Sequence, residues 1–251
     1  MDNTNITSNS ADLNVAYWEQ IFTAVIIILI AIAGIFGNSM VITAVALSRK
    51  LQTATNAFVT SLGVSDLLTS FFLIWYAVGA LGRNSWPIPG AYWLCQTTGF
   101  MIYASVGTSL YTLAAIAINR LIHITRPDLY QKIFSSWKLG ILVAIPWIIP
   151  IALGAILLLS GYGAIGYNPN YRDCADLDTA KGAEVFQLAK IVIGLPVPCV
   201  AIVASYIGIY VYMKKHFRRQ KRSLSEFPAR STDAIHNEKE SSSVFACELL
   251  E

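Results

Sequence analysis

Five stretches of this chain, at residues 21–47, 57–81, 92–124, 137–160 and 185–213, are each long and apolar enough to cross a lipid bilayer. A helix needs about 20 apolar residues to span the hydrocarbon layer. Inside lipid the backbone must satisfy its own hydrogen bonds, which leaves helices or closed barrels. These runs lack the strict alternation of a barrel strand, so the fold class expected is an all-α membrane protein. The composition agrees, at 55% hydrophobic and 13% charged residues, where a soluble domain carries about 25% charged. No sixth span follows. Beyond residue 213 the chain is polar, charged and Ser-rich, and 214–251 reads as a cytoplasmic disordered tail or a truncated loop. The organisation expected is a tail at 1–20, a membrane bundle at 21–213 and that second tail.

The basic residues set a direction. Of 18 Lys and Arg, four (Arg83, Arg172, Lys181 and Lys190) fall on one side of the five spans, and the other 14 on the opposite side. Cytoplasmic loops carry the excess of positive charge, so the N-terminus is expected outside the cell and the C-terminus inside. The net charge of +3 is thus spread over membrane-flanking segments, and gives no footprint for nucleic acid. The first twenty residues hold Asp2, Asp12 and Glu19 but no Lys or Arg. That is the reverse of a cleavable signal, so the first helix is expected to act as its own anchor. The triplet Asn5, Ile6, Thr7 is a glycosylation acceptor on the expected outer side, although such triplets also arise by chance.

Cys95 stands at the outer end of the third span and Cys174 in the outer segment 161–184. Both face an oxidising compartment, where a bridge would tie the loop over the bundle; two free thiols is the alternative. Cys199 reads as a small packing residue, and Cys247 as an inert thiol or a lipidation site. His123, His216 and His236 are scattered along the chain. No nucleophile and base, and no set of metal ligands, is grouped, so an enzyme is not expected. A transporter or channel would carry charged pairs, broken helices or repeats along a path, and none is evident.

Charge inside a membrane costs about 2.5–3.5 kcal/mol at the helix centre, so each such residue needs a reason. Asp66 lies in the middle of the second span, Asn38 in the first and Ser109 in the third. At similar depth on neighbouring helices, the three suggest one buried polar cluster. It is either hydrogen-bond glue between helices or a site for a hard monovalent cation. Arg120 follows the third span, where snorkelling to headgroups is the plain explanation.

These pieces have the order and spacing of a known family. Gly37 and Asn38, Leu62 with Asp66, Cys95 placed 25 residues before Arg120, Trp147 with Pro150, and Pro198 with Tyr206 together resemble the motifs of rhodopsin-like (class A) G-protein-coupled receptors. The likeness spans residues 37–206. It implies the first five helices of a seven-helix bundle, with the sixth and seventh absent. It also implies a Cys95–Cys174 disulfide and an allosteric sodium site at Asp66, Asn38 and Ser109, with no other cofactor. Arg120 and Tyr206 would engage a heterotrimeric G protein, and a small extracellular ligand would sit between the outer ends of the helices. The pocket face implied is Thr98, Gly99, Ile102, Tyr103 and Val106 of the third helix, joined by Lys190. The family's amine receptors carry an aspartate where Ile102 stands, which argues against an amine anchor. Lys190 pairs with an anionic ligand group or snorkels to headgroups, the second being the plainer reading.

The family's Asp-Arg-Tyr motif is here Asn119, Arg120 and Leu121. An Asn cannot form the ion pair that holds the arginine at rest, so basal activity or altered coupling is expected. The Asn-Arg start, followed by Arg126, Pro127, Asp128, Leu129 and Tyr130, resembles a branch holding melatonin receptors and the insect moody and trapped-in-endoderm receptors. Two functions follow from the resemblance. One is a plasma-membrane receptor signalling through G proteins; the other is a truncated, silent product that associates with full-length receptors. The run Lys214, Lys215, His216, Phe217, Arg218, Arg219, Gln220, Lys221 and Arg222 reads as a stop-transfer anchor to anionic lipid, and in the family as an extension of the fifth helix towards the G protein.

Overall fold

The computed structural model describes residues 4–82, 84–161, 163–177 and 181–226, with side chains from residue 17 to residue 222 within those ranges. The helices, in order, are α1 (Thr4–Leu47), α2 (Ala54–Ala80), α3 (Tyr92–Thr125), the short α4 (Pro127–Ile133), α5 (Ser136–Leu159), the short α6 (Ala183–Ala189) and α7 (Pro196–Glu226). A 3-10 turn, Arg49–Leu51, joins α1 to α2, and a π-helical turn, Lys190–Gly194, joins α6 to α7. Two strands, β1 (Ile165–Asn168) and β2 (Asp173–Asp176), form an antiparallel hairpin. Among the described residues five helical segments have the length and hydropathy to cross a membrane: Tyr17–Leu47, Ala54–Ala80, Tyr92–Thr125, Ser136–Leu159 and Ala183–Arg222. The described residues divide into a unit up to Tyr206, holding the bundle and hairpin, and a second from Ile207 to Glu226.

Helix ends follow local chemistry. The Thr53 side chain caps α2 by accepting from the Asn56 amide at 3.2 Å, which satisfies one of the orphan donors of a first turn. Arg126 precedes a proline and so is driven out of helical geometry, which ends α3, while Pro127 is pre-set for the first position of α4. Two expectations about the ends are corrected. Helix α1 runs back to Thr4, into the segment read as a tail, and no Gly or Pro between 4 and 20 interrupts it. Helix α7 continues to Glu226, so 214–226 is not disordered. Pro198 is followed by no further proline before Pro228, and the Lys, Arg and Gln between are good helix formers. Asn5, Cys247 and the residues after 226 lie outside the described side chains.

The interior inverts the pattern of a soluble protein. The buried side chains of the bundle are mostly small, including Ala24, Ala31, Ser65, Ala77, Ser105, Ala114 and Ala117, while Phe22, Leu29, Ile30, Phe36, Ile148 and Leu159 face outwards. Lipid tails are as apolar as Leu, so membrane helices associate where small residues let backbones approach. At Gly107 of α3 an added Cβ would lie 2.6 Å from the Pro150 ring of α5, and at Gly34 of α1 it would overlap the Ser70 hydroxyl of α2.

Prolines interrupt α5 at Pro146 and Pro150, and Pro196 and Pro198 follow the π-helical turn. In the wide i to i+5 pattern of that turn, the partner of the Ile193 carbonyl would be Pro198, which has no N–H. The Tyr111 hydroxyl of α3 takes that place, donating to the Ile193 carbonyl at 2.9 Å. Freed backbone groups in membrane helices are re-satisfied in this way by neighbours.

Candidate functional site

The hairpin lies across the Cys95 end of α3. Cys95 and Cys174 are bonded, with Cα atoms 5.2 Å apart, and both are buried with Trp86 and Tyr167 in one apolar cluster. The rings of Trp86 and Tyr167 meet edge to face at 6.3 Å. Polar contacts hold the hairpin to the neighbouring helices. The Tyr167 hydroxyl donates to the Gly79 carbonyl at 3.2 Å, and the Tyr167 amide donates to the Tyr92 hydroxyl at 3.2 Å. The Tyr76 hydroxyl of α2 donates to the Asp173 carboxylate at 3.0 Å. With the Gln20 amide turned to present its oxygen, the Arg172 guanidinium donates to it. Burial, set against the nearby Arg172 charge and aided by Asp173, pushes the Tyr167 phenol above its ordinary range. The hairpin turn is tight: the Arg172 amide donates to the Asn168 carbonyl at 2.7 Å, with Arg172 at φ 57°, and the Asn170 amide donates to the Asn168 side chain. An Asn side chain mimics a turn in this way.

The face of α3 expected to meet a ligand is divided by this arrangement. Thr98 is fully buried. At Gly99 an added Cβ would lie 2.6 Å from Ile165 and 2.7 Å from the Cys174 carbonyl, so Gly99 sits beneath the hairpin. Tyr103 packs against Gly154 of α5 and 5.7 Å from the Phe186 ring of α6. Ile102 is half-buried and Val106 exposed. Lys190 has a partner the sequence reading did not consider: its ammonium donates to the Asp176 carboxylate at 2.6 Å and stands 5.2 Å from the Phe186 ring centroid. A separate apolar cleft of about 250 Å³, lined by Tyr111, Ala115, Ile118, Ile145, Pro198 and Ala201 among others, takes in none of these six residues.

Asp66 and Ser109 do meet. The Ser109 hydroxyl donates to the Asp66 carboxylate at 2.7 Å, and Ser65 joins Ser109 at 2.6 Å. Asn38 is not bonded to this group; its amide donates back to the Gly34 carbonyl of its own helix at 2.9 Å. The side chains gathered here offer oxygen alone, with one carboxylate among hydroxyls, which is the donor chemistry that hard cations take. Ser65 was invisible as a site residue in the sequence because it reads as one more small residue in a helix.

At the other end of α3, Asn119 is fully buried and accepts a hydrogen bond from the Thr55 hydroxyl of α2 at 2.8 Å. Its amide nitrogen has no partner among the described residues. Arg120 is exposed and forms no ion pair among the described residues. Leu121 is half-buried, and Tyr206 of α7 is exposed. Tyr130 of α4 lies between His123, at 4.6 Å, and Phe134, at 4.7 Å. Phe134 meets Phe58 of α2 edge to face, which fastens the short helix to the bundle. Trp147 donates from its indole to the Ser61 hydroxyl at 2.9 Å, joining α5 to α2.

Long apolar helices with small residues inside, a disulfide-pinned hairpin at one end and an exposed arginine beside a locked asparagine at the other define a multi-pass helical membrane protein of the receptor type. Residues 37–246 match the profile of the seven-transmembrane receptors of the rhodopsin family, and the chain belongs to that family. It is 28% identical over 201 residues to the G-protein coupled receptor moody of Drosophila pseudoobscura pseudoobscura, covering 80% of this chain and 29% of that protein. It is 29% identical over 202 residues to melatonin receptor type 1B-A of Danio rerio, covering 80% of this chain and 68% of that one. The Dopamine D2-like receptor of Drosophila melanogaster is 30% identical, with 86% of this chain and 23% of that protein covered. The crystal structure of squid rhodopsin superposes with a TM-score of 0.70 at 23% identity, over 86% of this chain and 57% of that one. That likeness bears on the fold alone. The moody and melatonin relatives agree with the branch that Asn119 and Arg120 pointed to. The chain spans less than a third of the length of the moody and dopamine-like receptors it matches.

Proposed function

We propose that this chain works as a receptor that carries the signal of a small extracellular ligand across the plasma membrane to a heterotrimeric G protein, with its N-terminus outside the cell. One observation carries the reading. A single helix, α3, has its Cys95 end fastened to the hairpin and its other end carrying an exposed Arg120, so one rigid rod of 34 residues joins the two faces. Arg120 is the residue that meets the G protein, and Tyr206 supports it. The neutral Asn119, held by Thr55, cannot form an ion pair with the Arg120 guanidinium, so the resting lock found in Asp-Arg receptors is missing and basal signalling or altered coupling is expected. Asp66 and Ser109 would hold an allosteric sodium ion, which would supply a positive charge to steady the carboxylate. Ile102, Tyr103, Val106 and Lys190 border the ligand, and Gly99 lets the hairpin close over it.

The test expresses the chain, together with whatever its gene encodes beyond Glu251, beside a sensor of G-protein dissociation. Melatonin and dopamine, taken from the names of its relatives, are the first probes. Dissociation above untransfected cells that disappears in Arg120→Ala, at equal surface expression, is the expected result. A surface-exposed chain that is silent in both forms, yet lowers the response of a co-expressed melatonin receptor, would overturn the reading in favour of a dampening partner.

A further inference from the structure

Beyond Tyr206 the chain keeps a helical course to Glu226, and this gives its basic residues a geometry that their count alone does not. Successive residues turn by about 100° on a helix. Taking Lys214 as the origin, Lys215, Arg218, Arg219 and Lys221 fall within an arc of about 160°, and Arg222 lies inside the same arc. His216, Phe217 and Gln220 occupy the opposite side. All of residues 214–222 are exposed, and no Asp or Glu occurs between 207 and 225. The Lys214 ammonium stands 5.6 Å from the Tyr210 ring centroid, and Tyr212 stacks on His216, so aromatic rings sit at the root of the charged stretch.

The depth of the stripe is also defined. The apolar run ends at Met213 and no charge precedes Lys214 from residue 207 onwards. The first lysine therefore stands where the apolar run gives way to headgroups, with Tyr210 and Tyr212 as the aromatic rings usual at that boundary. A stop-transfer anchor asks only for positive charge at this depth, on any side of the helix. Singly charged headgroups surround the helix and would satisfy it from all directions. A common face is needed when one compact ligand carries several negative charges. From Lys214 to Lys221 the stripe is about 10 Å long, the size of one polyphosphorylated headgroup, and its two arginines present planar forks that grip phosphate with two hydrogen bonds each.

We infer that the Lys214, Lys215, Arg218, Arg219 and Lys221 stripe is a binding site for the headgroup of a phosphoinositide carrying more than one phosphate. Under the topology proposed above, the lipid belongs to the cytoplasmic leaflet. The full chain is reconstituted into nanodiscs of phosphatidylcholine alone, with phosphatidylserine, or with phosphatidylinositol bisphosphate at matched total charge, and lipid retained per chain is read by native mass spectrometry. Hydrogen exchange over 207–226 is followed in parallel. Nanodiscs expose both leaflets, so an error in the topology leaves this test intact. Retention of the bisphosphate lipid, with slower exchange in its presence, is expected, and phosphatidylserine should reproduce neither. The variant Lys215→His, His216→Lys, Arg219→Gln, Gln220→Arg keeps composition and net charge but moves two charges to the opposite side; it should weaken retention about 25-fold, at about fivefold for each displaced charge. Equal retention by this variant, or equal effects of the two anionic lipids, would refute the site and leave a simple charge anchor. Binding of an acidic peptide in discs that retain no anionic lipid would overturn it in favour of a protein partner.

Discussion

Asp66 and Gly99 show what single residues disclose in a sequence and what they conceal. A carboxylate in the middle of an apolar run must have a reason, and the structure supplies it through Ser109 at 2.7 Å. Asn38 was legible as polar and out of place, yet its amide returns to its own helix at Gly34, because an i to i−4 bond was within reach and Asp66 was not needed. Ser65, Thr55 and Asp176 were missed, since their importance is set by which helix or strand lies opposite. Gly99 read as part of a ligand face, and it is a point where the hairpin backbone comes too close for any side chain. Overpacking of this kind costs about 1–3 kcal/mol. Gly99→Val is therefore expected to lower the melting temperature of the detergent-solubilised protein. Gly140→Ala, where an added Cβ meets nothing within 4 Å, is the control and should leave it unchanged or raised. Equal melting of the two variants would contradict the close approach of the hairpin.

Among the elements, the helices were legible and the hairpin was not. Each long helix was announced by twenty or more apolar residues, a signal that survives any error of a few positions at its ends. The segment 161–184 is rich in Gly, Tyr and Asp and shows no strand alternation, and its strands exist because the Cys95–Cys174 bond and the Tyr167 and Tyr76 hydrogen bonds hold four residues against four. The bond closes a loop over a sequence separation of 79, and removing such a link costs typically about 2–4 kcal/mol. The pair Cys95→Ser with Cys174→Ser should speed hydrogen exchange over 165–176 far more than over α2 or α5. Uniform acceleration across the bundle would mean instead that the hairpin and helices unfold as one. The extension of α7 to Glu226 was implied by the family resemblance alone, because a polar, charged helix has no apolar stripe to announce it.

At the scale of the whole molecule, the stability of the fold depends on its solvent. Large apolar side chains point outwards and small ones inwards, so the ordinary expectation for exposed substitutions is reversed. Leu29, in the middle of α1, is 60% exposed and Leu47, at its end, is 82% exposed. In a soluble protein an arginine at either position would change little. Here Leu29→Arg is expected to cost about 2.5–3.5 kcal/mol in membrane insertion, while Leu47→Arg snorkels to the headgroups at little cost. Insertion efficiency of α1, mapped by glycosylation of engineered acceptors, reads the difference directly; equal insertion of the two would place α1 outside the bilayer.

The π-helical turn at Lys190–Gly194 winds an additional residue into one circuit, and so stores about 100° of rotation and about 1.5 Å of rise at a single joint. Relaxing it to ordinary helix would swivel everything on its α6 side, carrying Lys190 off Asp176, while the Tyr111 hydroxyl would have to surrender the Ile193 carbonyl. Tyr111 of the third helix is thus the pawl that holds this joint in its wound form.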